Sequence, residues 1–216
     1  MALLRRLQER DLGDCLALST EANWNQVQAD WQDLLARADC FGLELDGHIV
    51  ATATSLAHSQ RVAWIGMVLV REAHRGHGYA RRVFEAALEA AAAAPYAGLD
   101  ATELGEPVYR KFGFEVTGEV SRWRREPRPF RTSRVPQSFA KPGRTAWHFT
   151  GTSLEELEST LAFHAGEPIL WDRLEPAQPV HGFQRTRRLK RMFLHGRAPA
   201  AGVFESFALR GFEYGI

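Results

Sequence analysis

Two glycines, Gly76 and Gly78, lie directly before a segment whose apolar residues recur every three or four positions, as in an amphipathic helix. The basic residue Arg75 precedes them. A helix N-terminus carries backbone N–H groups without intrahelical partners and a partial positive charge, and a glycine turn lets an anion approach the main chain. The turn therefore predicts a phosphate-binding site. A purely structural glycine turn is the alternative that these residues alone leave open.

The glycine turn lacks features of two common nucleotide-binding motifs. The sequence contains no GxxxxGK[ST], which excludes a P-loop because no lysine and hydroxyl are supplied for a nucleotide and magnesium. Gly76 and Gly78 fit the start of a dinucleotide fingerprint, but Arg81 occupies the position where a third small residue lets helix and strand pack closely. The identity of the anion therefore needs a second signal.

Alternating strand and helix patterns extend from the N-terminus to about residue 126. Two segments with helical spacing follow a first short strand, and Asp46-Gly47 between alternating residues indicates a hairpin. Residues 61–70 are almost continuously apolar, as in a strand covered on both faces, and they lead into the glycine turn. The predicted order is strand, two helices, three strands, helix, strand, helix and strand. This order describes an α/β (α+β) domain with a mixed sheet over residues 1–126.

The composition of the chain changes after residue 126. Four prolines fall among scattered arginines and serines in residues 127–143, which predicts a connection without regular structure. Residues 144–216 form a short carboxy-terminal extension that either completes the first sheet or makes an abbreviated second half. The extension has no glycine loop of its own, so we predict no second anion site in it.

The overall composition is that of a globular protein with a sizeable core, with 216 residues of which 45% are hydrophobic and 25% charged. The formal net charge of +1 argues against a nucleic-acid partner, although arginines mix with aromatic or apolar residues in 122–131 and 184–191. No apolar run approaches the length of a membrane span, so we also predict no membrane partner.

Neither the cysteines nor the histidines form a recognisable site in the sequence. Cys15 and Cys40 stand in unrelated contexts, which favours core cysteines and a reducing cytoplasm over a disulfide framework. His58, His148 and His164 share no ligand spacing. We therefore predict a cytoplasmic protein without a metal.

Two motifs taken together resemble the GNAT superfamily of N-acetyltransferases. Residues 75–80, RGHGYA, fit [QR]xxGx[GA], the pattern of that superfamily's acetyl-CoA pyrophosphate loop. Residues 102–114, TELGEPVYRKFGF, resemble its second signature, NxxAxxLYxxxGF, in which Tyr109 takes the tyrosine position. Thr102 and Gly105 depart from the usual asparagine and alanine. More narrowly, the chain resembles a bacterial subgroup whose members often carry a further acetyltransferase-like half.

The resemblance implies a GNAT-like acyl-CoA N-acyltransferase fold over residues 1–126 and direct transfer of an acetyl group from acetyl-CoA to an amine of a small molecule or peptide. Loop N–H groups would hold the pyrophosphate, and the preceding strand would pair with the pantetheine arm. Arg81 or Arg82 would reach the 3′-phosphate unless both only cover a solvated helix face. The implied cofactor-binding residues are Met67, Val68, Leu69, Val70, Arg75, Gly76, His77, Gly78, Tyr79, Ala80 and Thr102.

The resemblance also suggests catalytic and acceptor-binding residues. Tyr109 is the candidate acid for the departing CoA thiolate, and a half-buried structural aromatic is the alternative. Asp100 lies in an apolar strand where burial would make it a usable base. A bonded structural aspartate is the alternative for Asp100, and deprotonation of the amine would then run through water. Glu21, Trp24 and Asn25, between the first two helices, lie where this superfamily commonly forms its acceptor site.

A non-catalytic acyl-CoA-binding or interaction module is the competing function. The apolar strand of residues 64–70 carries no carboxylate that could act as a base, and Thr102 and Gly105 depart from the second signature. The sequence leaves a homodimer open and does not identify the acceptor amine.

Overall fold

The computed structural model describes residues 1–58, 61–126, 147–149, 169–174 and 182–199. The chain divides into two compact units, the first spanning Met1–Leu99 and the second starting at Asp100. The order of helices and strands through residue 125 is the predicted one. The predicted connection at residues 127–143 lies outside the described residues.

The first unit combines three helices with a mixed sheet. Its elements are β1 (Leu3–Arg6), α1 (Leu12–Glu21), α2 (Gln28–Arg37), β2 (Asp39–Leu45), β3 (His48–His58), β4 (Val62–Val70), α3 (Tyr79–Ala91) and β5 (Tyr96–Ala101), along which the chain passes into the second unit. Strands β1 to β4 pair antiparallel in sequence order. Strand β5 pairs with β4 in parallel, which the crossover through α3 makes possible.

The turn between β2 and β3 is the hairpin that the sequence predicts. Asp46 and Gly47 have φ angles of +51° and +82°. Positive φ at both central residues is the requirement of a type I′ turn, whose twist matches that of two antiparallel strands. The Asp-Gly pair therefore sets the first two pairs of the hairpin, Leu45 opposite His48 and Glu44 opposite Ile49, beyond which a bulge shifts the register.

Helix α3 is held by a fully buried apolar stripe. Val83, Phe84, Ala87 and Ala91 are buried, and the helix packs against β2, β3 and β4. This stripe has the spacing of three and four that the sequence shows. Because the stripe anchors α3 on the sheet, the N-terminus of the helix is placed firmly just beyond the end of β4.

Within its described residues, the second unit contains a short helix and four further strands. They are α4 (Glu106–Arg110), β6 (Phe114–Arg125), β7 (Trp147–Phe149), β8 (Ile169–Leu174) and β9 (Gln184–Leu194). Strand β6 pairs antiparallel with β9 on one side and with β8 on the other, and β7 pairs in parallel with β8. The β6–β9 ladder runs from Phe114 opposite Leu194 to Arg124 opposite Gln184.

The long β6–β9 ladder bears on the role of the carboxy-terminal extension. Strand β6 belongs to the predicted first domain, whereas β9 comes from the extension. Both strands lie in the second unit, so the ladder pairs the end of the predicted first domain with the extension and leaves both alternatives for the extension open. The division at residue 126 itself stays a prediction.

Candidate functional site

Strand β4 contains a β-bulge at Met67. Thr52 of β3 lies opposite Leu69, and Thr54 lies opposite Gly66, so β4 advances three residues while β3 advances two. Met67 has a φ of +51°, and its carbonyl oxygen accepts a hydrogen bond of 2.8 Å from the Thr52 hydroxyl. A bulge takes main-chain groups out of the regular ladder and redirects them.

The other edge of β4 is paired over its first part only. Val62, Ala63 and Trp64 face β5, and this pairing ends at Trp64. In the part of the chain that the structure describes, the β5-facing edge of residues 65–70 has no strand partner. Residues 67–70, which the sequence analysis assigns to the pantetheine arm, therefore have an edge that can accept an added extended chain.

The glycine turn adopts backbone conformations that favour glycine. Gly76 and Gly78 have φ angles of +79° and +75°, and a Cβ atom added at either would meet no atom within 4 Å. Non-glycine residues rarely adopt such angles. The turn therefore combines a left-handed backbone with open space beside it, which is the arrangement that lets a bulky anion reach the main chain.

The N-terminus of α3 has no cap of its own. The N-cap residue is Gly78, no side chain caps the helix, and no acidic residue lies in its first turn. The first intrahelical bond comes from the Arg82 N–H to the Gly78 carbonyl oxygen, at 3.3 Å. The N–H groups of Tyr79, Ala80 and Arg81 precede it and lack helical acceptors. These donors, together with the helix dipole, have the charge and geometry that suit an anion.

The basic side chains near this end have different partners. Arg81 pairs with Glu85 at 2.7 Å along the exposed face of α3, and Arg82 donates to the Ala2 carbonyl oxygen at 3.1 Å. The Arg81 contact favours the alternative in which that side chain covers the solvated helix face, whereas Arg82 is bonded to the main chain next to β1. Arg75 is exposed, and its Nε lies 3.4 Å from the Val70 carbonyl oxygen. Arg75 is thus the cation that stands within the loop itself.

The predicted acceptor residues lie at the connection between α1 and α2. Glu21 ends α1, and Trp24 and Asn25 follow in the turn, both partly exposed. The Trp24 N–H bonds to the Ser19 carbonyl oxygen at 2.9 Å, and Asn23 has a φ of +56°. Glu21 contacts the segment that leads into the glycine turn: its Oε1 accepts a hydrogen bond of 2.5 Å from the Glu72 N–H.

Arg71, the first residue after β4, is a site residue that the sequence analysis missed. Its guanidinium donates to Asp14 at 2.8 Å and to the Ile49 carbonyl oxygen at 3.2 Å, and it lies 3.7 Å from Glu21. Its N–H bonds to the Val50 carbonyl oxygen at 2.9 Å. Arg71 thereby fixes the point where the strand becomes the loop. An arginine directly after an almost continuously apolar strand was the available signal.

In the second unit, the Tyr109 ring lies beside Gly105, one of the two residues that depart from the motif. A Cβ atom at position 105 would lie 2.9 Å from Tyr109 Cε2 and 3.3 Å from Thr102 Oγ1. Thr102 Oγ1 accepts a hydrogen bond of 3.1 Å from the Gly105 N–H. Gly105 thus leaves room for the tyrosine ring, which an alanine at position 105 would crowd.

Burial affects the chemistry of the tyrosine. Desolvation raises the pKa of the Tyr109 phenol. The phenol therefore stays protonated at neutral pH, which is the state that a proton donor requires.

Asp100 lies in a buried ion pair. Arg191 Nε and Nη2 donate to the two Asp100 carboxylate oxygens at 2.8 and 2.7 Å, and the Arg191 and Asp100 side chains are 2% and 1% exposed. A carboxylate held by a bidentate guanidinium and closed off from solvent is poorly suited to take a proton from an incoming amine. The geometry favours the structural aspartate over the general base.

The two cysteines are buried free thiols. Burial raises the pKa of the Cys15 thiol, and it raises that of Cys40 to about 12. Neither is a nucleophile at neutral pH. Among the described residues, no group of three histidine, cysteine, aspartate or glutamate side chains is arranged to hold a metal ion. The described helices are all too short or too polar to span a membrane.

Comparison with known proteins links this geometry to one family. The sequence profile described as the Acetyltransferase (GNAT) family matches residues 3–114. The sequence matches no curated protein significantly. The matched segment contains the bulged strand, the glycine turn and the Tyr109 motif.

Solved structures share the fold at low sequence identity. A protein of Pyrococcus horikoshii assigned as an acetyltransferase has a TM-score of 0.66 and 17% identity, over 89% of each chain. An Enterococcus faecalis protein assigned as an N-acyltransferase has a TM-score of 0.54 and 13% identity, over 89% of this chain and 72% of its own. Ard1 from Thermoplasma volcanium has a TM-score of 0.51 and 18% identity, over 55% and 85%. The chain therefore has the mixed α/β fold of acyl-CoA N-acyltransferases.

Proposed function

The chain belongs to the GNAT acetyltransferase family, and from that premise we propose that it moves an acetyl group from acetyl-CoA directly to an amine of a small molecule or peptide. It is an acyltransferase, and members of this family use acetyl-CoA as the acetyl donor. The observation that carries the proposal is the uncapped start of α3 behind Gly76 and Gly78. In the described part of the chain, no side chain neutralises the partial positive charge of this helix end, and the glycine backbone beside it is unobstructed. This arrangement is explained better by a bound pyrophosphate than by a purely structural turn.

We assign the cofactor contacts to main-chain groups. The N–H groups of residues 75–80 would hold the pyrophosphate, with Arg75 adding a cation, and the open edge of residues 67–70 would pair with the pantetheine arm. Main-chain contacts of this kind cost little reorganisation because α3 and β4 are fixed by the buried core. The rings of His77 and Tyr79 lie with their centroids 5.7 Å apart at a tilt of 33°.

We assign the proton donor to Tyr109. When the amine attacks the acetyl carbonyl, the C–S bond breaks and the sulfur leaves as a thiolate that needs a proton or a hydrogen bond. A neutral phenol held near the sulfur can donate that hydrogen bond or proton. Because Asp100 is bound by Arg191, we assign removal of the ammonium proton to water rather than to Asp100.

The acceptor is assigned to the turn that carries Trp24 and Asn25. Its residues are partly exposed, and Glu21 at its start is bound to the Glu72 N–H and lies 3.7 Å from Arg71. We further propose a cytoplasmic location, because both cysteines are free thiols.

A non-catalytic acyl-CoA-binding module is the second candidate, and the buried Asp100 and the carboxylate-free β4 favour it. Tyr109→Phe tests the first candidate against it. We expect this variant to lower amine-dependent release of CoA by about 100-fold or more while acetyl-CoA affinity, measured by isothermal titration, changes little. Equal losses of turnover and affinity would show that Tyr109 only packs.

A further inference from the structure

Glu21 connects two segments of the first unit that have different roles in the proposed reaction. One is assigned to acetyl-CoA and the other to the acceptor amine. Glu21 is the last residue of α1, directly before the turn of residues 22–27 that carries Trp24 and Asn25. Its Oε1 accepts a hydrogen bond of 2.5 Å from the N–H of Glu72, the first residue of a short 3₁₀ turn, Glu72–His74. That 3₁₀ turn leads directly into the glycine loop.

The link is reinforced from the side by Arg71. This guanidinium lies 3.7 Å from Glu21 Oε2 and donates at 2.8 Å to Asp14, which is on the same helix as Glu21. Asp14 in turn accepts a bond of 2.9 Å from the Ile49 N–H. The two ends of α1 are therefore both tied to the junction between β4 and the loop.

A carboxylate is an unexpected neighbour for a loop that binds an anion. Glu21 would weaken cofactor binding through charge repulsion alone, and Arg71 offsets only part of this. A role that needs the oxygen atom as a hydrogen-bond acceptor accounts for its position better than a role in attracting the cofactor.

We propose that Glu21 is a positioning residue that couples the cofactor loop to the acceptor turn of residues 22–27. The inference rests on the proposed function. In it, the Glu72 N–H and the Glu21 carboxylate hold the start of the loop and the start of the acceptor turn in one arrangement. Ordering of the loop by acetyl-CoA then also orders the turn that receives the amine.

The first test compares two variants with opposite expectations. Glu21→Gln keeps a carbonyl oxygen for the Glu72 N–H and removes the negative charge, so acetyl-CoA should bind equally well or more tightly. Glu21→Ala removes the acceptor as well, so acetyl-CoA should bind about three- to tenfold more weakly by isothermal titration. Asp33→Ala, which removes an exposed carboxylate of α2, is the control and should leave the affinity unchanged. Tighter binding by both Glu21 variants would overturn the proposal, because charge alone would then explain the residue.

The second test uses acetyl-CoA alone and needs no acceptor. Hydrogen–deuterium exchange should slow in residues 71–80 and in residues 22–27 when acetyl-CoA is added to the wild-type protein. In Glu21→Ala, only residues 71–80 should respond. A turn that fails to respond in the wild type, or responds equally in Glu21→Ala, would overturn the coupling while leaving the proposed function intact. A wild-type protein that binds no acetyl-CoA would instead overturn the proposed function.

Discussion

Asp100 and Arg191 form a bidentate ion pair between residues 91 positions apart, with both side chains almost completely buried. Both oxygens of the Asp100 carboxylate, the candidate base, are occupied by the guanidinium. The pair also joins the start of the second unit to β9, which comes from the carboxy-terminal extension. We therefore expect the pair to stabilise the fold, independently of any role in catalysis.

Removal of Arg191 should destabilise the protein strongly. Arg191→Met leaves the Asp100 carboxylate buried without its guanidinium, and we expect the free energy of unfolding in urea to fall by about 3–5 kcal/mol. Arg188→Met is the matched control, because Arg188 lies on the same strand as Arg191 but is exposed, where it pairs with Glu119. Its loss should cost less than about 1 kcal/mol. Similar effects of the two substitutions would contradict the structural role of the buried pair.

A methyl group at position 105 should displace the tyrosine. In Gly105→Ala the new Cβ would lie 2.9 Å from Tyr109 Cε2, so the ring must shift. We expect turnover to fall by about tenfold or more, because a misplaced catalytic group costs rate, while acetyl-CoA affinity stays near wild type. Steady-state kinetics and titration measure the two quantities.

Gly13→Ala is the control for the Gly105 variant. A Cβ at position 13 of α1 meets nothing within 4 Å, and alanine is the better helix former. This variant should keep wild-type turnover. Wild-type turnover in Gly105→Ala as well would mean that the space left by Gly105 does not determine the position of Tyr109 in the reaction.

A side chain in the glycine loop should weaken cofactor binding. Gly78 and Gly47 have similar positive φ angles, and an added Cβ has open space at both. Alanine therefore brings similar backbone strain at each, about 1–2 kcal/mol. We expect only Gly78→Ala to reduce acetyl-CoA affinity, by about tenfold, because only that Cβ stands at the uncapped helix end. A comparable loss in Gly47→Ala would attribute the effect to strain alone.

The contact between Arg5 and Asp11 should make stability depend on pH. The hydrogen bonds from Arg5 lower the pKa of Asp11, which lies 7% exposed. A carboxylate with a lowered folded-state pKa stabilises the protein at pH values above its unfolded pKa of about 3.9, and this contribution is lost as the pH falls through the folded pKa.

Asp11→Asn tests this contribution. We expect the free energy of unfolding to fall by about 2 kcal/mol at pH 7, and the difference from wild type to shrink below about pH 4. Asp33→Asn, in an exposed pair with Arg37, should show little difference at either pH. A difference for Asp11→Asn that persists unchanged in acid would exclude a charge-dependent origin.

Much of the first unit could be predicted from sequence because its signals are local. The Asp46-Gly47 hairpin depends on two adjacent residues, and the buried stripe of α3 depends on spacing within one helix. The glycine loop was equally readable, since Gly76 and Gly78 precede that stripe directly. Their positive φ angles follow from the residue type.

The remaining features depend on residues that are distant in sequence. Arg71 bonds to Asp14 at a separation of 57 positions, and Asp100 bonds to Arg191 at 91. The Met67 bulge has no residue signature, because any residue pair can shift the register of β4 against β3. Gly105 was visible as a departure from the motif, but its reason lies in the position of the Tyr109 ring.

The measurement that tests the central claim most directly is the release of free CoA from acetyl-CoA across a panel of primary amines, followed with a thiol reagent. Cys15 and Cys40 are buried, with thiol pKa values raised, so the folded protein should contribute little background. The proposed function predicts amine-dependent release by the wild type that Tyr109→Phe largely abolishes. Acetyl-CoA binding without release for any amine in the panel would contradict it and favour the non-catalytic module.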